Sequence, residues 1–334
     1  MRAEPIAIAV GADEAGMATG LVGARYRLGD SPRLRSGAAG TAGPRVLATA
    51  CVHGDEVTST GALWYVAERL ADPGSAEGGF AAASAPLGGS VTLIPCANQL
   101  AMRASTREIP LEGADLNRAF PGRADGTLAE RLAAALVALL DEHDALIDVH
   151  TAGWATPFVL LDHIADAALR GRVVRWAGAS GLPVVGEMPA EQSDLKGLDR
   201  SWSAWAVRLG KPAVTLELSG FHTLESATAR RGAEAVLAML AAAPQAVGGG
   251  GTAAGAAEIE WRRTEIHAGS GGLFEALRRP GESIAAGERL GVVRSMLGEA
   301  REVVTAPADG LILALQPISA VHVGSWLATL AVRA

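Results

Sequence analysis

The 334-residue sequence lacks the long apolar runs of membrane proteins, and it contains little cysteine, lysine or tyrosine. No stretch approaches the roughly 18 to 20 apolar residues that a membrane-spanning helix needs, so we expect no membrane partner. The first ten residues have neither the apolar segment nor the cleavage pattern of a secretory signal, which predicts a cytoplasmic protein. Cys51 and Cys96 lie in apparent buried strands, and we interpret them as reduced core residues.

Positive charge is also scarce in this chain. The formal net charge is -7, whereas a nucleic-acid-binding protein needs a basic face, so we expect no nucleic-acid partner. Lys196 and Lys211 are the only lysines of the sequence, and the remaining positive charge is arginine. Hydrophobic residues make up 49% of the chain, which is ample material for one large domain, or for a large and a small one.

Apparent strands alternate with apparent helices as far as residue 245. The clearest helix is predicted over residues 127–141, where Thr127 and Glu130 form a capping-box pattern. Alternation of this kind is typical of an α/β fold, with a mixed sheet and helices on both faces. Residues 71–90 are rich in glycine, alanine, serine and proline and predict a surface loop. The irregular stretch from residue 97 to residue 126 is long enough to predict a functional loop.

The composition changes near residue 250. Residues 246–257 are rich in glycine and alanine and are interpreted as a linker. Residues 258–334 show short apolar runs separated by glycine and proline turns, which predicts a small all-β domain. The expected layout is therefore an α/β domain over residues 1–245, this linker, and a β-rich domain over residues 258–334.

His53 and Glu56 lie where a buried strand gives way to a helix, and His150 ends another predicted strand. Ligands bind at the carboxyl ends of strands in open α/β sheets, and two histidines with one glutamate are a standard zinc set. The alternative to a zinc site is that these histidines have structural roles and that their spacing from Glu56 arose by chance. The chemistry predicts one Zn²⁺ per chain held by His53, Glu56 and His150, with Asp148 placed to orient a ligand.

A hydrolytic zinc site also needs a carboxylate that is not a ligand and can take and return a proton. Glu217 is a charged residue in an otherwise apolar strand, and it is the candidate for this base. A core ion pair is the structural alternative. Arg107 and Arg118 could bind a substrate carboxylate or an oxyanion, although both could also be ordinary surface arginines. His222 lies shortly after Glu217 and is a further candidate for lining the site.

Several motifs together resemble those of the succinylglutamate desuccinylase/aspartoacylase family, whose members are relatives of the zinc carboxypeptidases. The resemblance covers roughly residues 45–245, and DLNRAFPG at residues 115–122 is its most specific part. The other matching segments, in chain order, are HGDE at 53–56, Asn98, Thr106-Arg107, DVHT at 148–151 and TLE at 215–217.

The resemblance implies a role for each matched residue. His53, Glu56 and His150 match the zinc ligands, and Glu217 matches the general base. Three further residues match groups that act directly on the substrate. Arg107 matches the arginine that polarises the scissile carbonyl, and Asn117 and Arg118 match the pair that holds a substrate carboxylate. The tyrosine that the carboxypeptidase relatives use has no match, because Tyr26 and Tyr65 lie far upstream.

The family resemblance implies a zinc-dependent amidohydrolase that cleaves the amide bond of a small N-acyl amino acid. Two alternatives stay open: a metallocarboxypeptidase acting on a peptide or cell-wall fragment, and a non-catalytic binding protein on this scaffold. The C-terminal region resembles a biotinyl/lipoyl-type β fold, but it contains no lysine for attachment of either group. We interpret this region as a lid, a wall that limits the substrate, or a contact in a homo-oligomer.

Overall fold

A computed structural model of the chain describes residues 3–12, 18–28, 43–72, 89–110, 112–247 and 259–334. The first nine strands of the described residues are β1 (Ala3–Ala12), β2 (Ala18–Leu28), β3 (Arg45–Ala50), β4 (Gly89–Cys96), β5 (Ala145–Thr151), β6 (Trp154–Ala155), β7 (Phe158–Leu161), β8 (Val184–Gly186) and β9 (Ala213–Leu218). The helices are α1 (Val57–Ala71), α2 (Gln99–Ala104), α3 (Leu128–Asp141), α4 (Ala167–Gly178), α5 (Ala190–Leu195), α6 (Trp202–Arg208) and α7 (Ser226–Val247).

Four parallel strands form the centre of the main sheet, in the order β4-β3-β5-β9. β5 is buried along its whole length, as expected for a strand that is covered by helices on both faces. β2 and β1 extend the sheet beyond β4 as an antiparallel pair, while β7 runs antiparallel to β9 and parallel to β8. The predicted mixed α/β sheet is therefore confirmed.

The two faces of the main sheet are covered by different helices. In β3, Val46 and Ala48 point to one core, which α1, α4 and α7 close, whereas Leu47 points to the other core. α3 and α6 cover that second core, in which Leu132 and Trp202 are fully buried. Within the described residues, no helix is both long and apolar enough to cross a bilayer.

The last strands of the chain form a β-rich C-terminal region. They are β10 (Trp261–His267), β11 (Gly272–Ala276), β12 (Ser283–Ile284), β13 (Arg289–Arg294), β14 (Ala300–Thr305), β15 (Gly310–Leu315), β16 (Ala320–Val321) and β17 (Trp326–Arg333). β10 pairs with β8, so that β10, β17, β15 and β12 continue the main sheet, and β6 also pairs with β15. The other four strands form a second sheet in the order β14-β13-β11-β16.

Three segments differ from the sequence interpretation or lie outside the structure. The stretch after β4, interpreted as irregular, contains α2 and a 3-10 turn at Leu116–Arg118. Helix α7 continues through Pro244 to Val247, so the first two residues of the predicted linker are helical. The rest of that linker, residues 248–257, lies outside the described residues, as do residues 73–88 of the predicted surface loop. The division into domains at the linker stays a prediction.

The capping box at the start of α3 generates a stability prediction. Thr127 Oγ1 accepts a hydrogen bond from the backbone N–H of Glu130, and Glu130 Oε2 accepts one from the N–H of Thr127. Thr127→Ala should lower the free energy of unfolding by about 1 kcal/mol, because one N–H of the first turn loses its partner. Urea unfolding measures this change. Glu130→Gln keeps the reciprocal pattern and is the control, and an unchanged midpoint for Thr127→Ala would contradict the prediction.

Candidate active site

The turn after β3 is shaped by its neighbours. Cys51 has a φ of 54°, in the left-handed region, and it turns the chain away from the strand direction. The Asn98 side chain, which is fully buried, donates to the carbonyl oxygen of Val52 at 3.1 Å. A Cβ at Gly54 would collide with the backbone of α2, so this position accepts only glycine without a shift of the helix. These contacts place the side chains of the next residues at the end of the sheet.

His53, Glu56 and His150 form a buried group of three, here called the metal-ligand cluster. Glu56 bridges the two histidines: its Oε1 lies 2.7 Å from His53 Nδ1, and its Oε2 lies 3.0 Å from His150 Nδ1. The N–H of Thr151 also donates to Oε2, at 2.9 Å. The three candidate donor atoms lie within 4.8 Å of one another. β3 and β5 are adjacent and parallel, which is why residues almost a hundred positions apart meet here.

The other nitrogen of each imidazole faces a second carboxylate. His53 Nε2 lies 3.2 Å from Asp115 Oδ1, and His150 Nε2 lies 2.7 Å from Asp148 Oδ2. Each imidazole therefore lies between two carboxylates, with Glu56 on its Nδ1 side and an aspartate on its Nε2 side. With a cation bound at each Nδ1, each Nε2 would carry the proton and donate it to its aspartate, because an ionised carboxylate only accepts hydrogen bonds. The donor set therefore fits a divalent metal with the carboxylate–histidine support found at zinc sites.

The charges of the cluster follow from this geometry. Burial alone would raise the pKa of Glu56, but the two imidazoles outweigh burial and hold that pKa below its usual range. Burial likewise works to lower the pKa of His150, yet Asp148 and Glu56 raise it well above its usual value. The buried carboxylates thus favour positive charge between them.

Glu217 lies directly beside the metal-ligand cluster. It is paired in register with His150 across the parallel strands β5 and β9, so both side chains point to the same face. Its Oε2 is buried and has no hydrogen-bond partner within the part of the chain that the structure describes. Burial raises the pKa of this carboxyl, since the charged form is poorly solvated there. The core ion pair considered as the alternative for Glu217 is not found among these residues.

The predicted arginines are differently engaged. Arg107 lies against the cluster: its Nη1 is 3.3 Å from His53 Nδ1 and its Nη2 is 3.2 Å from Asp115 Oδ2. Arg118 donates to backbone carbonyls instead, from Nε to Lys196 at 3.0 Å and from Nη1 to Asn117 at 2.8 Å. Its Nη1 also forms a long ion pair with Asp115 Oδ2, at 4.0 Å. A ligand carboxylate could therefore approach Arg118 more closely than Asp115 does.

Asn117 is oriented by the start of α6. Its Oδ1 accepts a hydrogen bond from the backbone N–H of Trp202 at 2.8 Å. The amide NH₂ of Asn117 is consequently the group left to face the cavity, and it can donate to a carboxylate. All seven sequence-predicted site residues line one cavity of about 490 Å³: His53, Glu56, Arg107, Asn117, Arg118, His150 and Glu217.

The sequence interpretation missed several charged residues of the same cavity. Arg263 and Glu265 reach it from β10 in the C-terminal region, at alternate positions that share one face of the strand. Arg263 Nε lies 2.9 Å from Glu187 Oε1, its Nη2 lies 3.2 Å from Glu265 Oε1, and Lys196 Nζ pairs with Glu265. Charged residues at the alternate positions Arg263 and Glu265 of a strand were a detectable signal, but nothing local indicated which site that strand would approach.

Other residues do not take the place that the sequence suggested. His222 is exposed, and its neighbour Phe221 lines the cavity instead. Tyr26 lies in β2 and Tyr65 in α1, and neither lines the cavity, in agreement with the missing tyrosine of the carboxypeptidase pattern. Gln316, Pro317 and Trp326 of the C-terminal region form part of the wall.

The sheet order defines an α/β fold of the carboxypeptidase-like type. A metallo-carboxypeptidase from Burkholderia cenocepacia is similar in fold, with a TM-score of 0.51 and 16% identity over 73% of this chain and 65% of that one. The sequence model of the succinylglutamate desuccinylase/aspartoacylase catalytic domain matches residues 42–243. The chain belongs to this family, as its motifs predicted.

Two further relatives are closer in sequence. A succinylglutamate desuccinylase/aspartoacylase from Rhodobacter sphaeroides has a TM-score of 0.75 and 24% identity over 100% of this chain and 95% of that one, which is a likeness of fold. An N-alpha-acetyl-L-2,4-diaminobutyric acid deacetylase from Halomonas elongata is 30% identical over 188 residues, or 54% of this chain. The match spans 49% of that deacetylase, about half of its length.

The metal-ligand cluster generates a binding prediction. The purified chain should take up about one divalent ion, and His150→Ala should retain little, since the set is reduced to two ligands. Elemental analysis after dialysis measures the content. His322→Ala is the control, because His322 is exposed and bonds to Ser325 in the C-terminal region. Equal metal content in the parent and His150→Ala would rule out the three-residue site.

Proposed function

We propose that this protein is a zinc-dependent amidohydrolase that cleaves the amide bond of a small N-acyl amino acid. The observation that carries the proposal is the setting of Glu217. This half-buried carboxyl, with a buried oxygen that has no partner within the described residues, lies beside the three donors of the metal-ligand cluster. A buried carboxylate oxygen is costly unless it is paired or used, and no paired cation is found for it within these residues.

His53, Glu56 and His150 would hold the zinc ion. The bound ion would supply Lewis-acid polarisation of the scissile carbonyl group and of water. Zinc is favoured over calcium or magnesium because two of the three donors are imidazoles, whereas those ions prefer oxygen ligands. Asp115 and Asp148 would accept the Nε2–H of the two imidazoles, which leaves each Nδ1 to bind the ion.

The substrate carboxylate is assigned to Arg118 and Asn117. Two donors of Arg118 bind backbone carbonyls, which fixes the plane of the guanidinium, and its ion pair with Asp115 is long, at 4.0 Å. The amide NH₂ of Asn117 lies beside it, since Trp202 occupies the other end of the amide. Arg107 reaches closest to the cluster and is placed to donate to the oxygen of the carbonyl under attack.

The proton transfers are assigned to Glu217. Its carboxylate takes a proton from the attacking water as the oxygen of that water bonds to the acyl carbon. The same proton is then delivered to the amide nitrogen, so that the C–N bond breaks and a carboxylate and a free amine leave. A raised pKa suits this double role, because the carboxyl holds the proton more readily between the two steps.

The acyl amino acid class is supported by the family and by the residues that line the cavity. The relatives carry names that include a diaminobutyric acid deacetylase and a desuccinylase. N-alpha-acetyl-2,4-diaminobutyrate, N-succinylglutamate and N-acylated aspartate are therefore the first substrates to test. The wall formed by the C-terminal region, with Pro317 and Trp326, argues for a small substrate over a peptide. The cytoplasmic location and a homo-oligomer stay predictions.

The role of Glu217 predicts a loss of turnover without a loss of metal. Glu217→Gln should lower kcat by about 10²- to 10⁴-fold, because the amide side chain cannot accept the proton of water. Stopped or continuous assay of released amine measures turnover, and elemental analysis confirms that zinc is retained. Glu234→Gln on the exposed side of α7 is the matched control. Near-normal turnover of metal-loaded Glu217→Gln would exclude the proposed mechanism and favour a different base.

The role of Arg118 predicts an effect on substrate binding. Arg118→Met should raise KM by roughly 10- to 150-fold, because a hydrogen bond between charged groups contributes about 1.5–3 kcal/mol. Zinc content should not change. The matched control is Arg123→Met, since Arg123 is two-thirds exposed and pairs with Asp125. Measurement of KM for the substrate and for its carboxamide analogue tests the assignment. Arg118→Met should raise the KM of the carboxylate substrate alone. An equal increase in KM for both compounds would contradict the assignment of Arg118 to the carboxylate.

A further inference from the structure

A line of buried hydrogen bonds reaches His150 from α6, along the face of the sheet that α6 covers. Trp202 Nε1 donates to Thr49 Oγ1 at 3.1 Å, and Thr49 Oγ1 donates to Asp148 Oδ1 at 2.7 Å. The other oxygen of Asp148 then accepts from His150 Nε2 at 2.7 Å. All four side chains are at least nine-tenths buried, so water does not compete for these bonds.

The direction of this line is determined by its chemistry. The indole N–H can only donate, so the Thr49 hydroxyl must accept from Trp202 and turn its own hydrogen elsewhere. Asp148 is the acceptor it finds, because Thr49 and Asp148 are paired in register across β3 and β5. With Oδ1 occupied in this way, Oδ2 is left for His150, and the imidazole keeps one orientation.

Trp202 is held firmly enough to act as the origin of this line. Its ring stacks on Phe120 with centroids 4.6 Å apart and an interplanar angle of 19°. Its backbone N–H donates to Asn117 Oδ1 at 2.8 Å, so the same residue also orients the proposed carboxylate-binding amide. Phe120 and Asn117 both belong to the DLNRAFPG segment. One residue at the start of α6 thus connects this segment with a ligand of the cluster.

We propose that Trp202 is a positioning residue for the metal site, acting on His150 through Thr49 and Asp148. The inference rests on the metal site of the proposed function. Trp202 touches neither the metal ligands nor the proposed substrate groups with its indole nitrogen, so its effect is indirect. Removal of the indole N–H frees the Thr49 hydroxyl to rotate, and Asp148 then holds the imidazole in more than one arrangement.

The test compares two buried tryptophans. Trp202→Phe removes the Nε1 donor but keeps an aromatic ring against Phe120 and keeps the backbone N–H to Asn117. Trp176→Phe is the matched control, because Trp176 is equally buried and donates from Nε1 to the Met239 carbonyl at 2.8 Å in the opposite core. Each variant loses one buried hydrogen bond, but of the two tryptophans only Trp202 is connected to His150 by the line of hydrogen bonds. The dissociation constant for zinc is measured by competition with a chelator, and the unfolding of the metal-free chain is measured beside it.

We expect Trp202→Phe to weaken zinc binding about tenfold, at the low end of the 10- to 100-fold range for groups that support metal ligands. Trp176→Phe should lower the stability of the metal-free chain and leave zinc affinity unchanged. Thr49→Val, which is nearly isosteric, gives a second test that does not alter the aromatic packing. Its zinc affinity should fall at least as far as that of Trp202→Phe.

The double variant Thr49→Val/Trp202→Phe tests whether the two residues affect zinc binding through one line of hydrogen bonds or independently of each other. If Trp202 acts through Thr49, the double variant should bind zinc no more weakly than Thr49→Val alone. Additive losses would overturn the inference, as would equal zinc affinities for Trp202→Phe and Trp176→Phe, and the proposed function would stand in both cases. A parent chain that binds no zinc would instead refute the metal site itself, and the positioning role with it.

Discussion

The carboxylate of Glu56 is the group on which the arrangement of the site depends. Each of its oxygens faces one imidazole, and the backbone N–H of Thr151 supports the second oxygen. Burial works against a charged carboxylate at this position, and the two imidazoles more than compensate for that cost. Because Glu56 is the N-cap residue of α1 and His150 lies next to the end of β5, the same contact ties the start of this helix to the strand.

The surroundings of this contact are strongly acidic for a buried region. Asp115 and Asp148 face the outer nitrogens of the two imidazoles, and Glu217 lies one strand further along the sheet. Arg107 lies close to Glu56 and is also paired with Asp115. A metal ion at the centre would further relieve repulsion among groups that the fold already holds in place. The charges and the imidazole donors point to the same kind of ligand.

The C-terminal region contributes to the site as well as to the sheet. β10 joins the main sheet beside β8, and this pairing brings Arg263 and Glu265 to the cavity. Glu265 pairs with Lys196, whose backbone carbonyl in turn accepts from Arg118. The interpretation of this region as a wall of the substrate cavity is thus supported by named contacts. Its interpretation as an oligomer contact stays a prediction.

The sequence by itself determined the fold class, the family and the set of candidate residues, because these depend on local patterns. Strand ends at His53 and His150, the capping box at Thr127, and the DLNRAFPG segment can each be identified within a few neighbouring residues. Only the tertiary structure decided that Glu217 lies in strand register with His150, that Trp202 is hydrogen-bonded to Asp148 through Thr49, and that β10 supplies charges to the cavity. Strand order and register bring together residues that are far apart in the chain, and no local periodicity encodes such a pairing.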